Sequence, residues 1–443
     1  MVAALANTAM NENTLLRSVL LHDKTGRIQA ILPAAALLDL NSIKDQTGRD
    51  LVAICHTELQ GLVDANRLHR LEPHPELYRL TTLIDDSVLQ EELLFPASSD
   101  DDCATITVSR EELKNSLLEF DLDLLLMSIG IEQCDMVTKT ANSESDQDQI
   151  IHSVENLTTL RIKQRLEDTP EIPTLPQTAQ RIIKLQVNPN ALVSELAEIV
   201  ESDPSLAAQV VSWAASPYYA APGKIRSVQD AVVRVLGFDL VGNLALGLAL
   251  GKTLVLPKDR VDGVTPYWVQ SIYCSTLVEA LAKLVPGGQN PSKGLTYLAG
   301  LLHNFGYLVL AHIFPPQFSQ ICRYMEANPH ISHMAIEYQL LQITREQICV
   351  WLMQLWNMPE EVAVAIRHQH DPSYDGAHCT YPNLLFMATR LLRQQGIGDA
   401  PLEEVPDYLY EKYKLCPQAV AETVQQVINS ADEIRGIAAN FPE

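Results

Sequence analysis

Two polar side chains stand next to each other in the most apolar part of the chain. His303 and Asn304 interrupt the run Leu295–Ile313, which otherwise reads as one buried helix. An imidazole beside a carboxylate could begin a metal site that activates water. Here the second residue is an amide, which carries no charge and is a poor ligand for a divalent cation. The pair fits a core histidine that hydrogen-bonds Asn304 or a backbone carbonyl. Arg367, His368, His370 and Asp371 also have metal-site residue types. They fall at the end of a predicted helix, where cations offset the C-terminal dipole. The eight cysteines are scattered singly, with no CxxC or CxxH pair, which argues against zinc ribbons and thioredoxin-like redox sites. Most read as small core residues in a reducing compartment.

The elements that must position these residues change character along the chain. Leu15–Leu21 and Ile28–Leu32 flank the turn-rich link His22–Arg27 and predict a hairpin. Leu51–Cys55, Tyr78–Ile84, Glu92–Phe95 and Ala104–Val108 are further strands, and Ser109 opens a helix over Glu111–Phe120. Thr138–Glu155 is rich in Ser, Asn, Asp and Gln and reads as a linker. From Pro170 the pattern is helical. Asp203-Pro204 is a helix start, Ser227 opens a helix that stops at Gly237, and Phe238–Leu250 is an apolar helix. Thr344-x-x-Gln347 is a capping box. Trp351 and Trp356 read as core packing, and Tyr218-Tyr219 with Pro217 and Pro222 as a rigid loop, a partner surface being the alternative. The fold class expected is multidomain: an N-terminal α+β unit with a mixed sheet and helices, then an all-α bundle.

The net charge of -23 argues against DNA and anionic membranes as partners, since both need basic surface. The N-terminus lacks a basic region leading into an apolar stretch, so no signal peptide is expected. The apolar windows are interrupted by Gly, Asn or His and read as buried helices rather than membrane spans. A cytoplasmic protein is expected.

The segments Leu15–Pro33, Leu38–Asn41, Gly48–Leu59, Leu80–Leu89 and Ile106–Leu117 resemble the YbaK/aminoacyl-tRNA deacylase family. The resemblance puts the family's catalytic lysine at Arg17, and the family's Gly-x-x-Pro-Pro loop is not visible near Glu72–Pro75. An arginine does not give up its proton. The resemblance therefore implies a fold kept for interaction or ligand sensing.

The segments Ile172–Pro176, Glu195–Tyr219, Ile225–Leu250, Ala299–Leu310 and Trp356–Pro372 look like the HDOD domain family. That resemblance implies a helical core like that of HD phosphohydrolases and a role in bacterial signalling, generally without hydrolase residues. Carried over position by position, the first metal-binding histidine falls at Gln270 and the His-Asp pair at His303-Asn304. A further histidine falls at Arg345, and a lysine that often follows the pair's glycine is Tyr307. An arginine there would itself repel a divalent metal.

The domains expected are a deacylase-like unit over 1–137, a polar linker over 138–155, an HDOD domain over 156–371 and a C-terminal helical extension over 372–443 packing on it. The function expected is non-catalytic signal transduction by binding, with no cofactor, no metal and no catalytic residue. Arg17, Gln270, His303, Asn304 and Arg345 are carried as vestigial family positions, with His303 and Arg345 as a candidate ligand pocket. The expected partner is a protein or a small nucleotide, with a homodimer admitted; tRNA is disfavoured and no membrane is involved. The alternatives are a metal-dependent HD-type phosphohydrolase, with a cyclic dinucleotide as a candidate substrate, and aminoacyl-tRNA editing by the N-terminal unit.

Overall fold

The structure is a computed structural model. It describes residues 15–54, 80–88, 92–96, 105–109, 111, 124–131, 146–159, 175–186, 188, 190–215, 224–254, 257–261, 264–287, 291–439 and 441. The chain divides into two compact units. The first comprises Met1–Asp135, Asp259–Gly263 and Ser319–Ile336, and the second Met136–Lys258, Val264–Phe318 and Glu337–Glu443. The second unit takes in stretches that the sequence reading divides among a linker, a helical domain and a C-terminal extension, while Asp259–Gly263 and Ser319–Ile336 group with the first unit.

The first unit is built on a mixed sheet. Strands β1 (Leu16–Asp23) and β2 (Gly26–Pro33) form an antiparallel hairpin in which Asp23 pairs with Gly26. The strands therefore run further into the link than predicted. Asp23 Oδ1 accepts from the Thr25 and Gly26 amides and fixes the turn, while Arg49 clamps the same carboxylate at 2.6 Å. After β3 (Leu37–Leu38), helix α1 (Leu40–Thr47) starts at Asp39, whose side chain accepts from Asn41 N, and ends at Gly48 with φ 70°. β4 (Val52–Ala53), β5 (Thr82–Asp85), β6 (Glu92–Pro96), β7 (Thr105–Ser109), β8 (Leu124–Met127) and β9 (Gly130–Ile131) follow. The five-stranded sheet runs β4-β1-β2-β5-β8, with β5 parallel to both neighbours. Leu21, Ile31, Leu32 and Ile43 fill its core. Apart from its first residue, the predicted helix Glu111–Phe120 lies outside the described residues, as does the Tyr218-Tyr219 loop.

The second unit begins with α2 (Asp146–Thr159), where the composition suggested a linker. Asp146, Gln149 and Ser153 find protein partners there, while Gln147, Asp148 and His152 face solvent. Asp146 is 2% exposed and ion-paired with Arg367, and Gln347 Nε2 donates to Asp146 Oδ1 at 3.2 Å and to Gln149 Oε1 at 2.9 Å. Composition alone does not show that a distant arginine neutralises the aspartate.

The bundle continues with α3 (Gln177–Gln186), α4 (Val193–Glu201), α5 (Pro204–Ala214) and α6 (Val228–Ala231). A π-helical turn over Val232–Leu236 ends at Gly237 with φ 81°. Next come α7 (Phe238–Gly251), α8 (Tyr267–Leu284), α9 (Lys293–Leu302) and α10 (Phe305–Ile313). α11 (Pro315–Ala327), most of which belongs to the first unit, and α12 (His333–Leu341), which begins in it, precede α13 (Arg345–Leu355), α14 (Glu360–Arg367) and α15 (Thr380–Gln394). α16 (Asp407–Lys412), α17 (Pro417–Asn429) and α18 (Ala431–Ala438) close the chain, with α15 and α17 packing on α8. The stretch Gly294–Ile313 is long and apolar enough to cross a membrane by length and composition, and 83% of its apolar window is buried inside the protein.

That stretch is not one helix. It breaks at His303-Asn304, where α9 hands over to α10. Two glycines set the break against its neighbours. A Cβ on Gly300 would lie 2.5 Å from Ser275 Cα on α8, and one on Gly306 would lie 2.0 Å from the Arg345 carbonyl at the start of α13. Gly306→Ala therefore forces backbone apart and is expected to destabilise the second unit by about 1–3 kcal/mol or more. Gly436→Ala in α18, where a Cβ meets nothing within 4 Å, is expected to be neutral or to stabilise by up to ~1 kcal/mol. Urea unfolding of the two variants beside the wild type checks the pair, and equal midpoints would refute the packing account.

Candidate functional site

The helix break frees the His303 carbonyl and turns two side chains inward. His303 Nδ1 bonds the Gly300 carbonyl at 2.7 Å, which fixes the ring. The His303 carbonyl, released from the helix ladder, accepts from Gln369 Nε2 at 2.9 Å. Asn304 sits at the start of α10 but makes no capping bond with its side chain. Its amide is used elsewhere.

Arg345 is the first residue of α13, and the Thr344–Gln347 capping box sets its position. Gln347 Oε1 accepts from Thr344 N at 3.0 Å and Thr344 Oγ1 accepts from Gln347 N at 3.4 Å. The Arg345 side chain then points into the core, where the residue is 1% exposed. Its Nε donates to Glu337 Oε1, and its own backbone N–H donates to Glu337 Oε2 at 2.8 Å. Nη1 donates to Asn304 Oδ1 and to Asp399 Oδ2, both at 2.8 Å. The guanidinium also lies 5.3 Å from the centre of the Tyr307 ring. Burial by itself would lower the Arg345 pKa, but Glu337, Asp399 and Glu346 outweigh it and hold the side chain protonated.

Asp399 closes the cluster. It accepts from Gln270 Nε2 at 2.7 Å and from Asn304 Nδ2 at 3.3 and 3.5 Å. Gln270 also approaches His303, 3.4 Å from nitrogen to nitrogen. Gly396 and Gly398, with φ of 76° and 91°, shape the loop that delivers Asp399. The loop is held by Gly398 N donating to Thr265 Oγ1 at 3.1 Å and Arg393 Nη1 donating to Gly398 O at 3.0 Å.

Four of the five sequence-predicted positions therefore meet in one place: Gln270, His303, Asn304 and Arg345. Arg17 belongs to the first unit. Sequence reading missed Glu337 and Asp399. The Gly-x-Gly-Asp turn signals a tight loop, but nothing local says which helix its carboxylate meets. The Arg367–Asp371 group separates. Arg367 pairs with Asp146, His368 stacks on Tyr374 at 3.8 Å, and Asp371 caps Ser373. His370 lies between Glu346 at 3.2 Å and Arg390 at 3.1 Å.

Chemically, the cluster is an ion triad with amide links. One cation faces two carboxylates, and Asn304 both accepts from the cation and donates to Asp399. An aspartate could not make that second bond. Asn304 reads as a requirement of the arrangement: a carboxylate at 304 would set a third anion against a single cation.

Comparison with known proteins places this geometry in context. The HDOD domain model matches residues 172–372. The crystal structure of a protein from Marinobacter aquaeolei VT8, provisionally named a signal transduction protein, is 42% identical. It aligns over 98% of this chain and 94% of that one, with a TM-score of 0.85. An HDOD domain protein of unknown function from Geobacter sulfurreducens shares the fold, with 23% identity, 66% of this chain, 98% of that chain and a TM-score of 0.52. A Treponema pallidum (strain Nichols) protein is 23% identical over 273 residues, 61% of this chain, and the chain spans about half (51%) of that curated relative.

Arg345→Met leaves Glu337 and Asp399 buried without their cation and is expected to cost about 3–5 kcal/mol. Asn304→Asp is expected to destabilise by roughly 1–3 kcal/mol near pH 8. The new carboxyl, beside Asp399, has a raised folded-state pKa, so its deficit narrows as pH falls and the group takes up a proton. Urea unfolding at pH 8 and pH 6 reads both effects. A pH-independent Asn304→Asp deficit would contradict the charge argument.

Proposed function

Since residues 172–372 match the HDOD domain family, we propose that the chain is a non-catalytic regulatory protein that acts in signal transduction by binding. One observation carries the reading: the place where a hydrolase would hold its metal is filled by the chain's own cation, Arg345, bonded to Asn304 and Asp399 and paired with Glu337. A metal ion there would have to displace a buried guanidinium already satisfied by those carboxylates. Gln270 and Asn304 supply amides where ligands of higher affinity would be imidazole or carboxylate. The cluster serves to hold α8, α10, α13 and the Asp399 loop in one arrangement, and regulation acts through the helices so fixed.

The likeness of the first unit to aminoacyl-tRNA deacylases is part of this proposal, as a fold kept for sensing and not for editing. The protein works in the bacterial cytoplasm on a protein or small-nucleotide partner.

Protein purified without chelators or a metal-binding tag is expected to carry no stoichiometric iron, manganese or zinc by elemental analysis. It is expected to hydrolyse neither cyclic dinucleotides nor simple phosphodiesters with manganese, iron or magnesium supplied. Metal-dependent turnover that His303→Ala abolishes would sink the proposal.

A further inference from the structure

The first unit holds a cation of a different kind. Arg17, on β1, donates from Nη1 to the Ala327 carbonyl at 3.1 Å, and from Nη2 to the Ala36 carbonyl at 3.1 Å and to Asn328 Oδ1 at 2.6 Å. All three acceptors are neutral. Among the described residues no carboxylate pairs with it. A guanidinium has five N–H donors, so three bonds leave two unused, and the Nε–H is buried without a partner. Burial pushes the Arg17 pKa down to about 9, with no neighbouring anion to offset it.

The guanidinium is also pinned. Asn328 accepts from Leu38 N at 2.7 Å through the same Oδ1, and its Nδ2 donates to the carbonyls of Leu38 at 3.2 Å and Tyr324 at 2.9 Å. His330 stands beside it. Its imidazole bonds the Ala36 backbone, so Arg17 and His330 converge on one residue, and its Nε2 is buried without a partner. Each residue keeps some exposed surface, while the Arg17 Nε and the His330 Nε2 are themselves buried.

We propose that Arg17 and His330 form an anion subsite of the N-terminal unit that takes a phosphate group, either free phosphate or a phosphate monoester. A neutral imidazole that donates to Ala36 leaves Nε2 as an acceptor. The ligand must then bring both a negative oxygen for Arg17 and a hydroxyl for His330. A singly protonated phosphate has both, whereas a carboxylate at neutral pH has no hydroxyl to give. The ligand also supplies the counter-charge that Arg17 lacks, and a charge-assisted bond of this type is the stronger sort. The proposal does not rest on the reading of the helical unit.

The test uses full-length protein with 15N-labelled histidine at pH 7, the His330 resonance being assigned with His330→Gln. Sodium phosphate, methyl phosphate and sodium acetate are titrated separately at an ionic strength held constant with sodium chloride. A saturable shift of His330 Nε2 with phosphate or methyl phosphate, but not with acetate, is expected, and Arg17→Gln is expected to lose it. Response to methyl phosphate alone identifies a monoester ligand, and response to inorganic phosphate alone identifies the free ion. The proposal is overturned if neither phosphate produces a saturable shift, if acetate acts equally, or if the shift survives in Arg17→Gln. Should Arg17→Gln fail to fold, the wild-type titrations decide by themselves.

Discussion

A buried positive charge is the constraint on which the helical unit depends. Arg345 is held inside the bundle with Glu337 and Asp399 against it, and the side chains of Arg345 and Glu337 are 2% and 0% exposed. Removing such charges from water costs several kcal/mol per ion, which only close pairing and complete hydrogen bonding offset. The fold therefore has to bring together a helix start, a helix break and a loop from well-separated parts of the sequence. Once the cation is in place, each of those elements has one acceptable position.

The same constraint accounts for the amides. Gln270 and Asn304 look like losses when compared with a metal-binding pattern. Inside the observed cluster they are donors to a carboxylate, and an amide can accept at the same time. Asn304 does both, and Gln270 donates to Asp399 while lying beside His303. A set of pure ligands would leave several like charges facing one another without a metal. The amides form a matched group: with Glu337 and Asp399 already paired to Arg345, a further carboxylate at these positions would face like charges.

This explains which parts of the molecule were legible in the sequence. Local signals read well where the cause is local. Asp203 caps α5 through Ser205 N and Leu206 N, Gly237 ends a helix with positive φ, and the Thr344–Gln347 box forms as its spacing implies. The hairpin turn was legible as well. Features that depend on a distant partner were not. The break at His303-Asn304 follows from close approach at Gly300 and Gly306, which hydropathy does not record. α2 looked like a linker because Asp146 and Gln149 are polar, and the Arg367 and Gln347 that satisfy them lie some 200 positions away. Asp399 sits 129 positions from Gln270 and 95 from Asn304, so the residue that completes the site had no neighbour in sequence to announce it.

The two central arginines show how one residue type can serve opposite ends. Arg345 has its counter-charges built in, and its carboxylates raise its pKa despite burial. Among the described residues Arg17 has only neutral acceptors, and burial lowers its pKa instead. A charge that is compensated inside the protein fixes structure, since nothing further is needed to neutralise it. A charge that is pinned but uncompensated remains a source of attraction for whatever anion can reach it. On that reasoning the buried triad fixes the structure of the helical unit, whereas Arg17, which no carboxylate among the described residues pairs, is where a small anion would be drawn to the N-terminal unit.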